Sequence, residues 1–328
     1  ENPRENKTNK SKNNSQKIEN KTKSIFKIGA VCIGGEVVFG ESKTNQDNYF
    51  NSTIGNNIKF IGVCDGHGEN GHYVSDYLVK NLPMELQKDL NNLLSEEPDL
   101  FQNNPLDKLT KMFVDSFKRT DNNMTKYCNS DPEAKFDVEY SGSTCVSILL
   151  NEKNMNKIYI GNVGDSRTIM IKETPNKYWT CQQLSRDHKP TEKDEAQRIL
   201  DYDGEIEKIE DDEGNWTGPL RVWVKGSDGP GLAMTRSFGD EVGTSIGVLP
   251  LPEVTEYKVM DEDKAIIIAS DGLWEYLSNK EVTDMFKNLI EMKEPDKIAN
   301  ELYKRSVERW REKDQGIDDI TIIVILLN

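Results

Sequence analysis

The chain reads as an α+β protein whose strands pack in antiparallel layers. Short β-rich apolar runs recur along it, and several follow one another closely, as hairpin-forming strands do. Helical 3.6-residue patterns are inserted between groups of strands rather than after each strand. The regular strand–helix–strand alternation of a doubly wound parallel sheet is scarce.

The elements follow in order. Residues 1–23 are Asn, Lys, Ser, Glu and Thr with almost nothing apolar, and are expected to form a disordered extension. Residues 25–33 alternate loosely as a strand. The apolar run 58–64 is a buried strand that ends in Asp65-Gly66-His67-Gly68. Residues 72–94 have helical spacing, with Pro83 predicted to end or kink the helix. Residues 105–126 place Leu109, Met112, Phe113, Phe117 and Met124 on one helical face. Strands 144–150 and 157–163 come next. With 166–171, the latter reads as a hairpin carrying Asp165 at its tip. A further strand spans 179–184. A helix opens at Thr191 and runs towards Tyr202, with Gly204 as its stop. The strand 264–269 ends in Ser270-Asp271-Gly272. Ser278 and Glu281 have capping-box spacing ahead of a helix over 282–292, and Pro295 opens a helix to about 311. Asp318 and Asp319 precede the last strand, 320–327.

Composition narrows the function. Of 328 residues, 42 are Lys or Arg and 57 are Asp or Glu, a net charge of −15 that argues against broad nucleic-acid or anionic-membrane binding. Phosphate substrates stay open, because bound divalent cations reverse a local field. No apolar run approaches the ~20 residues that span a bilayer, and no signal-peptide apolar region is present. The five cysteines, Cys32, Cys64, Cys128, Cys145 and Cys181, form no C-x-x-C pair. They predict neither structural zinc nor a disulfide framework, and a reducing cytosolic or nuclear compartment fits them. None begins a C-x5-R phosphate loop, which disfavours a cysteine-nucleophile phosphatase.

The acids carry the chemistry. Asp65, Asp165 and Asp271 each follow the end of an apolar strand, and Asp318-Asp319 precede the start of one. In antiparallel packing the end of one strand lies beside the start of its neighbour, so these acids can meet at one rim. Each Asp-Gly alone is an ordinary turn. Gathered together, the carboxylates would repel unless a cation compensates them. Oxygen-only ligation points to Mg²⁺ or Mn²⁺.

The ordered motifs Asn45-Gln46-Asp47-Asn48, Asp65-Gly66-His67-Gly68, Ser141-Gly142-Ser143-Thr144, Gly161-Asn162-Val163-Gly164-Asp165-Ser166-Arg167, Leu184-Ser185-Arg186-Asp187-His188-Lys189-Pro190, Met234-Thr235-Arg236-Ser237-Phe238-Gly239-Asp240, Ser270-Asp271-Gly272-Leu273-Trp274 and Asp318-Asp319-Ile320-Thr321 resemble those of the metal-dependent type 2C serine/threonine protein phosphatases. The resemblance covers about 25–327. It implies a four-layer α-β-β-α sandwich of two antiparallel sheets flanked by helices. It also implies a single domain over 24–328, with 203–252 as a variable flap beside the cleft. In that reading Asp65 bridges two Mn²⁺ or Mg²⁺ ions and the Gly66 carbonyl is a second oxygen ligand. Asp271 and Asp318 are ligands of one ion, and Asp47 holds a metal-bound water. Asp165 and Glu275 edge a weaker third metal position. His67 is the general acid that protonates the leaving alkoxide. The implied partners are phosphoprotein substrates of a monomeric cytoplasmic or nuclear enzyme, with neither nucleic acid nor a membrane span.

Some positions depart from the family pattern. Gln46 stands where many members have Glu, Glu275 replaces the usual Asp, and Asp319 replaces Asn. The phosphate-binding arginine is out of register: Ser42 holds its place, and neighbouring Lys43 is the substitute for phosphate binding, without arginine's two-pronged grip. Arg167, His188, Arg236 and Asp240 read as structural. Trp216, Arg221 and Trp223 are candidates for substrate selection. The alternative reading, a non-catalytic scaffolding member, predicts loss of several ligand acids, yet Asp65, Asp271 and Asp318 are present.

Overall fold

Successive residues of a strand point to opposite faces, and here most strands are apolar on both. The computed structural model describes residues 26–37, 43–55, 57–103, 105–131, 133–153, 155–211, 213–313 and 316–327. The extension expected over 1–23 lies outside them, as does Ser42.

One antiparallel sheet runs β1 (Phe26–Ile33), β15 (Ile320–Leu327), β14 (Asp263–Ala269), β7 (Arg167–Glu173), β8 (Trp179–Gln183). The second runs β12 (Phe238–Gly239), β4 (Gly142–Ser143), β3 (Ile58–His67), β5 (Cys145–Asn151), β6 (Lys157–Val163), β13 (Glu253–Lys258), with β2 (Asp47–Thr53) also paired to β3. Ile61, Val63, Val146 and Ile148 of the second sheet meet Ile266, Ile268, Ile323 and Ile325 of the first in one buried layer. Residues of opposite parity face outwards. Phe60, Cys64, Leu149 and Tyr159 pack under α1 (Gly71–Glu96) and α2 (Leu106–Ser130). Ile267, Ala269, Ile322 and Val324 pack under α5 (Asp271–Trp274), α6 (Asn279–Leu289) and α7 (Pro295–Lys313). The order is helix, sheet, sheet, helix, as expected. Each fully buried Ile or Leu contributes about 1.5–3 kcal/mol.

Two expectations need correction. The runs 157–163 and 166–171 are not a hairpin, because β6 belongs to one sheet and β7 to the other. Both strands are buried, so each needs its own neighbours; Gly164, at φ +100°, carries the chain across between the sheets. Pro83 does not end α1, which continues to Glu96. Leu78, Leu82, Leu86 and Leu90 are fully buried at four-residue spacing on both sides of the proline. This packing offsets the roughly 3 kcal/mol that an interior proline costs. The capping box at Ser278 and Glu281 is present.

Within 203–252 a three-stranded sheet forms, ordered β11 (Pro230–Leu232), β10 (Trp216–Val224), β9 (Gly204–Glu210). Val222 and Leu232 pack with Ile199 of α3 (Lys193–Asp201) and with Met234, Ile246 and Val248. Beneath, Glu195 of α3 is fully buried and accepts hydrogen bonds from Thr235 Oγ1 (2.6 Å), Arg236 Nη2 (2.6 Å) and Arg198 Nη2 (2.7 Å). This node anchors the segment leading to Asp240, which caps the short helix α4 (Glu241–Thr244). Glu195→Ala, which strands these cations, should cost about 3–5 kcal/mol, read as a lowered urea midpoint.

Candidate metal centre

The sheet register assembles the acids. Antiparallel pairing of β2 with β3 sets Asp47 directly opposite Asp65. Asp65 N donates to Thr144 Oγ1 (3.1 Å) and its carbonyl accepts from Thr144 N (2.8 Å), so the buried Ser143-Thr144 segment fixes its backbone. In the other sheet Ala269 pairs with Ile322 and with Arg167. The end of β14 therefore lies beside the starts of β15 and β7, which brings Asp271, Asp318 and Asp165 together. Gly66 permits the close approach: a Cβ there would lie 2.3 Å from the Gly71 carbonyl oxygen and 2.6 Å from that of Gln46.

The electrostatics are those of crowded anions. Burial first, then the charges of Asp47, Asp271, Asp318 and Asp165, pushes the Asp65 carboxyl well above the usual range. Asp271 is raised likewise by burial and by Asp165 and Asp318, while a hydrogen bond with Asp65 partly offsets this. Burial lifts Asp47 to about 7 against the hydrogen bond from Ser270, whose Oγ donates to Asp47 Oδ2 at 2.7 Å. Asp47 Oδ1 and Asp165 Oδ1 are buried with no hydrogen-bond partner. Among the described residues no three acid, histidine or cysteine side chains already form an ion-sized cage. Lysines instead hold the flanks. Lys43 Nζ sits 2.5 Å from Asp318 and 3.4 Å from Asp319, and Lys189 Nζ lies 3.5 Å from Asp165. Orphaned carboxylate oxygens, mutual repulsion and an all-oxygen donor set fit divalent cations.

The departures from the family pattern acquire positions. Gln46 Nε2 donates to the Gly68 carbonyl (2.6 Å). Asp319 is buried and accepts from Gly35 N (2.7 Å) and Gln46 N (2.9 Å), so it ties the segment before β2 to β15. Glu275 caps α5, where its charge acts on Lys189. Arg167 pairs with Asp187 at 2.6 Å and lies over the Trp274 ring. Gly164 N donates to Nδ1 of the buried His188.

His67 has a partner that sequence reasoning assigned only to loop anchoring. Its Nε2 lies 2.7 Å from Oδ2 of the fully buried Asp240. Burial opposes a charged ring here, yet the Asp240 carboxylate prevails and the His67 pKa is raised. Asp240 holds a left-handed backbone (φ 47°), and its N donates to the Ser141 carbonyl at 3.0 Å. Gly142 makes room for it: a Cβ there would fall 2.1 Å from Asp240 Oδ2. Lys189 and Asp240 are thus the residues beside the site that sequence reasoning did not assign to it, and no local signal links Asp240 to His67.

Comparison with known proteins agrees with this fold. Residues 39–314 match the family model of Protein phosphatase 2C. The chain is 31% identical over 279 residues to "Probable protein phosphatase 2C 73" of Arabidopsis thaliana, covering 82% of this chain and 71% of that protein. It is 30% identical over 287 residues to "Probable protein phosphatase 2C 48" of Oryza sativa subsp. japonica, covering 81% and 74%. The crystal structure of serine-threonine phosphatase 2C from Toxoplasma gondii superposes with a TM-score of 0.73 at 20% identity, over 91% of this chain and 99% of that one. With the layer order and this spread of sequence similarity in agreement, the chain belongs to the protein phosphatase 2C family.

Proposed function

We propose that this protein hydrolyses phosphoserine and phosphothreonine in proteins, with two Mn²⁺ or Mg²⁺ ions held by Asp65, the Gly66 carbonyl, Asp271 and Asp318. The observation that carries the reading is the convergence of Asp47, Asp65, Asp165, Asp271 and Asp318 beside His67, each acid raising its neighbours' affinity for positive charge. The bound cations would make water a better nucleophile at neutral pH and neutralise charge on the phosphoryl oxygens. Asp47, buried and opposite Asp65, orients water at the rim. Asp165 and Glu275 edge a weaker third position. Lys43, which pairs with Asp318 at 2.5 Å, would be the side chain that meets the substrate phosphate. His67, its proton retained by Asp240, protonates the departing serine or threonine oxygen. The segment 203–252 acts as the flap that selects substrates on a single domain, 24–328. We further place the protein in the cytoplasm or nucleus as a monomer; among the described residues no helix is long and apolar enough to cross a membrane.

Phosphate release from a phosphothreonine peptide, titrated with Mn²⁺ and then Mg²⁺, is expected to rise from zero and to stop on adding EDTA. Activity that survives EDTA overturns the metal-dependent reading.

A further inference from the structure

The three-stranded sheet β9–β11 is packed on one side only. Over it lies a groove of about 420 Å³ whose lining includes Glu205, Glu207, Glu210, Trp216, Trp223 and Asp228, together with Lys208 and Ile209. Strand pairing sets Glu205 opposite Trp223 and Glu210 opposite Trp216. The Trp223 ring is held in place: its Nε1 donates to the Glu207 carbonyl (3.2 Å), and its ring lies against Gly231, where a Cβ would fall 2.8 Å away. Trp216 is 57% exposed and Ile209 42% exposed. None of the four carboxylates forms an ion pair among the described residues, although Lys208 also lines the groove and Arg221 stands opposite Glu207 with its Nη1 donating to the Gly231 carbonyl (2.6 Å).

Exposed indoles set among carboxylates call for a covering partner, and the charge says which kind. Acids without counter-ions beside presented indole faces match Lys and Arg side chains, whose cationic heads pair with carboxylates and whose stems and guanidinium planes lie on tryptophan. The sheet is also joined to the site: Leu232 ends β11, and the chain then runs through the Arg236 anchor to Asp240 and its contact with His67. We propose that this groove docks a Lys/Arg-rich segment of the phosphoprotein substrate, so that the enzyme prefers phosphosites carrying a basic arm. The assignment rests on the phosphatase reading above and adds the substrate class.

The test uses two phosphothreonine peptides with the same core, one with a Lys/Arg-rich arm and one with a Ser/Asn arm. The basic arm is expected to raise kcat/KM about tenfold, through KM, and to lose this advantage at high salt. The combined variant Glu205→Gln, Glu207→Gln, Glu210→Gln should bring the peptides level and leave p-nitrophenyl phosphate hydrolysis unchanged. Equal kcat/KM for both peptides in the unaltered protein overturns the proposal, as does a preference that persists in the variant. Fluorescence anisotropy of the dephosphorylated basic peptide in EDTA reads docking without catalysis. Binding there that the variant loses, with no phosphate released under Mn²⁺, sinks the phosphatase reading and keeps the groove. The chain's own Lys-rich segment before residue 26 is the competing occupant. If changing Lys10, Lys12 and Lys17 to Gln in the full chain tightens peptide binding about tenfold, the groove is filled from within and the substrate assignment falls.

Discussion

Asp271→Asn is expected to abolish metal-dependent hydrolysis and, at the same time, to raise the melting temperature of the EDTA-treated protein. The loss should be about 10³-fold or more, the scale of removing a preorganised electrostatic group. The gain follows from crowding, because Asp65 and Asp271 are each raised well above the usual carboxyl range by burial and by neighbouring acids. In the folded state these groups hold protons that the unfolded chain, with Asp near 4, releases. Their contribution to stability is therefore full at low pH and is lost as pH rises, for Asp47 up to about 7. Asp194 and Glu253 behave oppositely. Arg186 holds Asp194 near 2, and His188 with Arg186 does the same for Glu253, so their support is present above about pH 4 and fails only on strong acidification. The chelated protein should thus melt higher at pH 5.5 than at pH 8, by roughly 2–4 °C for each kcal/mol recovered. Saturating Mn²⁺, which keeps the acids ionised, should remove that trend. A pH-independent melting temperature in EDTA, together with a less stable Asp271→Asn, would refute the account of the cluster.

Asp240→Asn should separate substrates by their leaving groups. Asp240 touches His67 and not the reacting atoms, so it is a positioning residue. Losing a well-held general acid costs about 10²- to 10⁴-fold when the leaving group is a poor one. Phosphoserine peptides should show that fall in kcat, whereas p-nitrophenyl phosphate, whose leaving phenolate needs no proton, should lose little. Without the carboxylate, burial acts on the ring with only the smaller effect of the Asp165 charge against it, so the alkaline limb of the pH profile should move to lower pH. An equal loss on both substrates with an unmoved limb would show that Asp240 serves only the loop.

Much of the fold was legible because its core strands are long apolar runs and its outer helices carry clear stripes. The last strand, eight residues of which seven are buried, could be little else. The meeting of Asp271 with Asp318 was legible too, since it needs only that β14 and β15 be antiparallel neighbours. The opposition of Asp47 and Asp65 was not. The strand Asp47–Thr53 is mostly polar, and only Phe50 beyond Asp47 is buried in it, so its pairing declares no period. The pairing of His67 with Asp240 spans 173 residues and depends on a missing Cβ at Gly142, which no local pattern announces. The mistaken hairpin at Asp165 arose because Gly-Asp between two strands looks the same whether the chain turns back or changes sheets.

That change of sheets has a mechanical side. Asp47 and Asp65 hang from one sheet, while Asp271 and Asp318 hang from the other. The gap any ion must bridge is therefore set by the thickness of the isoleucine-rich spacer formed by Ile148, Ile266, Ile268 and Ile323. On the proposed two-metal reading, thinning that spacer by even a methyl group should change the span between the jaws, and with it the grip on the ions, through side chains that never touch them.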